Sequence, residues 1–225
     1  MNLFIYASYI ALFLCFTLCL IHFIKLVRLG TPKDLSEPAG DITAGIIYSN
    51  TGAMSPKNKE SAYKHLPTYT AGIVFHLGSF LALICYLLLI FDSVWFFFFR
   101  NITVSALIAV AIWVSSFCAT GLLIKRLTSK KLRFISNLDD YFSVILVILF
   151  QFSSAILFTT FVFHDYFHNF FSHNFHGRII CIYYLLSALL FLYLPFGKLK
   201  HTVYYFAARY HLGFFYGIRG TWPPK

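Results

Sequence analysis

The chain has 225 residues, 59% of them hydrophobic and 20% aromatic, with only 12% charged and a formal net charge of +10. A soluble domain of this length needs far more charge to cover itself, so the composition excludes an ordinary soluble fold and reads as an integral membrane protein. The positive charge is scattered between apolar runs with no separate basic soluble domain, which excludes a nucleic-acid role.

Five apolar runs reach the roughly 20 residues a bilayer-spanning helix requires, near 3–27, 69–91, 102–124, 141–163 and 178–200. They predict an all-α fold: a single membrane domain over 1–225, an integral bundle of five transmembrane helices. The first run has no basic n-region and no small-residue cleavage site and outruns a typical signal h-region, so it is expected to be a retained helix. The connection 30–68 mixes Gly, Pro and Ser with both charges, and a loop of that length has a function of its own or is disordered. Its segment Met54-Ser-Pro-Lys-Asn-Lys-Glu-Ser61 is polar and expected at the surface. The second helix is expected to open near Pro67, since proline suits the first helical position. Between the second and third runs, Asp92 to Asn101 carries Trp95 and Phe96 to Phe99, an aromatic belt of the kind found at membrane interfaces. The fourth run holds Gln151, Ser153, Ser154, Thr159 and Thr160, a polar seam that reads as interhelical glue, with a quinone contact as the alternative. The tail 202–225 alternates basic and aromatic residues, is too short to span again, and is expected along the inner membrane surface or under a partner.

Lys25, Arg28, Lys33, Lys57, Lys59 and Lys64 follow the first run; Lys125, Arg126, Lys130, Lys131 and Arg133 follow the third; Lys198, Lys200, Arg209, Arg219 and Lys225 end the chain. Only Arg100 and Arg178 fall on the other side. By the positive-inside rule this predicts an N-terminus outside, a C-terminus in the cytoplasm, and a cytoplasmic loop 30–68 and tail.

An ionisable side chain inside a membrane helix is costly and marks a candidate site. His76 lies in the uncharged run Ala71-Gly-Ile-Val-Phe-His76-Leu-Gly78, about eight residues into the second helix, and His201 closes the last run. Two imidazoles on neighbouring helices are what a low-spin b haem takes as axial ligands; the bland alternative is a histidine bonded to an adjacent helix. His164, His168, His173 and His176 form a second cluster, in which His164 and His168 share a helix face at metal-ligand spacing. A polar interfacial loop is the alternative there. His22, His65 and His211 sit near the cytoplasmic edge. Cys15, Cys19, Cys85, Cys118 and Cys181 lie in apolar runs without a CxxC pair, and read as small buried hydrophobes.

With Phe75-His76-Leu77-Gly78, Pro195-Phe-Gly-Lys-Leu-Lys-His201 and the loop Gly52–Ser61 with His65, the chain resembles the gamma-subunit family of respiratory nitrate reductase. Its relatives include the membrane subunits of heterodisulfide reductase and of sulfite-reductase-associated complexes. The resemblance implies two b haems stacked between the second and fifth helices, each taking one histidine from each. It places the cytoplasmic-side pair on His76 and His201. The other pair falls on Tyr86 and Tyr183, so both ligands of one haem are replaced together. A single b haem is then expected, with aromatic side chains, lipid or quinone in the place of the other.

The implied function is a membrane cytochrome b subunit in a prokaryotic cytoplasmic membrane, passing electrons between the quinone pool and a cytoplasmic iron–sulfur partner. Lys198, Lys200 and Arg209 are expected to pair with haem propionates, and the basic inner face to dock the partner. Two alternatives stand beside it: a haem-free membrane anchor, and a non-haem metal enzyme using His164, His168, His173 and His176.

Overall fold

A computed structural model describes residues 2–30, 37–58, 60–91, 99, 101–163 and 173–224. The elements are α1 (Asn2–Arg28), α2 (Ile42–Asn50), α3 (Glu60–Lys64), α4 (Leu66–Phe91), α5 (Ile102–Thr128), α6 (Lys130–Phe134), α7 (Leu138–Val162), α8 (His173–Tyr193) and α9 (His201–Ile218). Short 3-10 turns cover Gly52–Met54, Pro56–Asn58 and Lys198–Lys200, and no strand occurs among the described residues. The fold is all-helical.

Four helices, α1, α4, α5 and α7, are long and apolar enough to cross a membrane. The fifth expected span, 178–200, is not one continuous helix. It begins earlier, at His173, and stops at Tyr193; a turn through Leu194–Gly197 and the 3-10 turn Lys198–Lys200 then lead into α9. Pro195 explains the break, because it lacks an amide hydrogen and pushes Leu194 out of helical geometry. The α8–α9 pair counts as a fifth span only as a broken one.

The described chain packs as two compact units: 1–15 with 67–198, and 16–66 with 199–225. In the first, α5 and α8 both pack on α7. Buried positions such as Leu146, Phe150, Ser154, Leu157, Phe158 and Phe161 make α7 the central helix. Its start is fixed by a capping box in which Asn137 accepts from the Asp140 amide (3.0 Å) and Asp140 accepts from the Asn137 amide (2.9 Å). Asp140 also accepts from Lys198 (2.5 Å) and lies 3.3 Å from Arg126. One carboxylate therefore ties the end of α5 and the turn after α8 to the start of α7. The Tyr193 hydroxyl donates to Asp139 beside it.

In the second unit, α2 and α9 lie antiparallel in close backbone contact. Ser49 at the end of α2 donates to the Arg209 carbonyl (2.7 Å), while the Ala39 amide, just before α2, donates to the Ile218 carbonyl (2.8 Å). A Cβ added to Gly45 would collide with the backbone of Gly213 and Gly217, and one added to Gly213 with that of Ile46. Glycine is required at this crossing because two backbones meet there. Tyr48 and Tyr216 pack on Trp222 at ring distances of 5.4 and 4.6 Å. The connection 30–68 is thus partly folded, with α2 clamped to a tail helix that composition alone did not reveal.

Candidate functional site

His76 sits ten residues beyond Leu66, about 15 Å along α4 at 1.5 Å per residue, deeper than the sequence placed it. Its Nδ1 lies 2.7 Å from the Gly72 carbonyl. A carbonyl only accepts, so Nδ1 is the donor in this contact. The ring itself is exposed on the helix surface. A ring whose Nδ1–H is held by a carbonyl is oriented as many metal-ligating histidines are.

The turn carrying His76 is braced from three helices. The Phe75 carbonyl accepts from Ser79 of its own helix (2.8 Å), Ser115 of α5 (3.2 Å) and Gln151 of α7 (3.2 Å). Gln151 Nε2 also lies 2.7 Å from the Ser79 hydroxyl and 3.0 Å from the Ser115 hydroxyl, its two hydrogens being shared among the three acceptors. Gly78 admits no Cβ because Ser115 occupies that space. The fourth-run polar seam therefore does act as glue at Gln151, which is fully buried with Oε1 unpartnered.

His201 is the first residue of α9, exposed, and follows a 3-10 turn rather than closing a membrane helix. It belongs to the second unit, and His76 to the first. Among the expected propionate partners, Lys198 is engaged by Asp140 and Lys200 is exposed. Arg209 places its guanidinium 5.8 Å from the Tyr205 ring centre.

Tyr86 and Tyr183, where the resemblance placed a second ligand pair, are both wholly buried. Their ring centres are 6.0 Å apart, with Phe150 stacked on Tyr183 at 6.1 Å and Phe191 against Tyr86 at 4.9 Å. Tyr184 stands 5.4 Å from Tyr183. The Tyr86 hydroxyl bonds Ser8 of α1. The Tyr183 hydroxyl makes no hydrogen bond of ordinary geometry, Ser154 being its polar neighbour. Aromatic rings fill the space between α4, α7 and α8 at this level. A tyrosine pair packed ring against ring does not fit the axial positions of a haem.

No family model, curated protein or solved structure matches the chain. What its residues can do is therefore read from the chain itself.

In the second histidine cluster, His164 and His168 lie outside the described residues, while His173 and His176 fall in the first turn of α8. Among the described residues no group of three or more His, Cys, Asp or Glu side chains could hold a metal ion. None of the five cysteines is in a disulfide.

One further feature was missed from sequence. In the second unit, Phe23, Leu26 and Val27 of α1 face Phe206, Ala207, Tyr210 and His211 of α9 across an apolar cleft of about 340 Å³. Nearby, His22 Nδ1 and the Tyr204 hydroxyl are 3.1 Å apart. The signal was available: Phe206, Tyr210 and Gly213 with Gly217 follow helical spacing, once the tail is read as a helix.

Proposed function

We propose that this is the membrane cytochrome b subunit of a respiratory redox complex in a prokaryotic cytoplasmic membrane. It passes electrons between the quinone pool and a cytoplasmic iron–sulfur partner through a single b haem. The observation that supports this reading is the His76 imidazole: exposed on an apolar helix, ten residues past its start, with its Nδ1 tied to the Gly72 carbonyl. An ionisable group so placed is costly unless it is used.

His76 supplies one axial nitrogen. Gly72 fixes its tautomer, and the Phe75–Ser79–Ser115–Gln151 hydrogen bonds hold its turn against α5 and α7. His201 as the second ligand rests on the sequence resemblance. Lys200 and Arg209, with Lys198 shared by Asp140, supply positive charge for propionates. A b haem contributes one-electron exchange at a potential set by its ligands and surroundings. In this reading the basic segments face the cytoplasm, with the N-terminus outside, and the partner is recognised there by complementary charge.

Replacing His76 or His201 by alanine is expected to remove the α-band of the reduced protein, while Tyr86→Phe keeps it. Bleaching in Tyr86→Phe would overturn the ligand assignment. A haem-free anchor is the second reading, favoured by the close aromatic packing around Tyr86 and Tyr183. It predicts that His76→Ala changes neither spectrum nor assembly.

A further inference from the structure

α5 ends at Thr128 and α7 begins at Leu138, both being candidate membrane spans that pack on each other. The nine residues between them, Ser129–Asn137, are tethered at both ends and so remain at one membrane edge. They are not neutral filler. Lys125 and Arg126 in the last turn of α5 are engaged by Thr68 and Asp140. Lys130, Lys131 and Arg133, by contrast, are exposed and make no ion pair among the described residues.

Directly beside these cations stand three large apolar side chains that cover nothing. Phe134 is 92% exposed, Ile135 74% and Leu138 88%. Three such groups in contact with water at the end of a bundle would be costly at about 25 cal/mol per Å². They adjoin charges that cannot enter hydrocarbon. A surface that takes both lies at the boundary of acyl chains and phosphate headgroups, where apolar side chains dip inward and Lys and Arg meet phosphates.

We propose that Lys130, Lys131 and Arg133, together with Phe134, Ile135 and Leu138, form a binding site for anionic phospholipid. The cations take the phosphodiester headgroup and the apolar trio seats in its acyl region. Lipid is favoured over a soluble protein partner because the tether fixes the segment at the bilayer edge, and because the apolar groups lie next to the span ends rather than on a protruding surface. The electrostatic part scales with the number of cations near the headgroups, roughly fivefold in local lipid preference per charge. It weakens as salt shortens the screening length.

The test uses the full chain in phosphatidylcholine vesicles carrying spin-labelled phosphatidylglycerol or spin-labelled phosphatidylcholine. The readout is the motionally restricted fraction of each label. The wild type is expected to restrict phosphatidylglycerol several-fold more than phosphatidylcholine, with the excess abolished in 1 M salt. The triple variant Lys130→Gln, Lys131→Gln, Arg133→Gln is expected to restrict both equally, and the arginine-retaining pair Lys130→Arg, Lys131→Arg to keep the preference. Equal restriction in the wild type, or an undiminished preference in the glutamine variant, would overturn the site. A second variant, Phe134→Trp, reads the apolar half. Its added emission is expected to be quenched by brominated lipid and protected from aqueous iodide. The reverse pattern would place the face in water, open to a soluble protein, and contradict the proposal.

Discussion

Single atoms decide much of what can be tested here. Gln151 Nε2 lies within hydrogen-bond distance of the Phe75 carbonyl, Ser79 and Ser115, so Gln151→Ala loses the bonds that join α7 to α4 and α5 and leaves a cavity, while the Ser115–Phe75 bond stays. Hydrogen bonds between membrane helices contribute about 0.6 kcal/mol each on average. A loss of roughly 2 kcal/mol is therefore expected, read as a lower thermal midpoint in detergent. Gln151→Leu keeps the volume and removes the orphaned Oε1, and should cost less than alanine. The two buried tyrosines should respond oppositely. Tyr86→Phe forfeits the bond to Ser8 and should cost about 1 kcal/mol, whereas Tyr183→Phe removes a buried hydroxyl without an ordinary partner and should be neutral or stabilising. A clear destabilisation by Tyr183→Phe would show that its hydroxyl is satisfied. None of these contacts could be read from sequence, because a glutamine in an apolar run states a need for partners but not which carbonyl supplies them.

Among elements, legibility followed hydropathy and failed at punctuation. The runs 3–27, 69–91, 102–124 and 141–163 match α1, α4, α5 and α7 to within four residues at each end. α7 starts three residues early because Asn137 and Asp140 cap it, and polar caps are invisible to an apolar window. The fifth run was misread as continuous because Leu194-Pro-Phe-Gly197 is apolar enough to pass, though Pro195 is a helix breaker. The helix α9 was not legible in the tail because its charges masked the small-residue stripe Gly213–Gly217. That stripe makes a sharp prediction: Gly45→Leu or Gly217→Leu should separate α2 from α9 and expose the 30–68 connection to limited proteolysis, while Gly121→Leu, with open space around it, should not. Asp140→Ala removes a capping box and two cationic partners at once. It should cost about 1–2 kcal/mol, most of it from the cap, since exposed ion pairs contribute little.

For the whole molecule, class was legible and activity was not. An apolar, charge-poor chain with four or five spanning-length helices states its solvent directly. A cofactor site does not state itself so directly, since it is assembled from residues far apart in sequence, and the proposed ligand role of His76 starts from one contact, Nδ1 to the Gly72 carbonyl. The rings packed at Tyr86 and Tyr183 leave that position to aromatic side chains, so the proposal places no haem there. The central claim is therefore a stoichiometry. The purified protein should give a reduced-minus-oxidised b-type spectrum and a pyridine haemochrome value of one haem per chain, falling to none in His76→Ala. Two haems per chain, or a single haem that survives His76→Ala, would contradict the assignment, and a colourless protein would leave the haem-free anchor and the non-haem metal enzyme, which metal analysis separates.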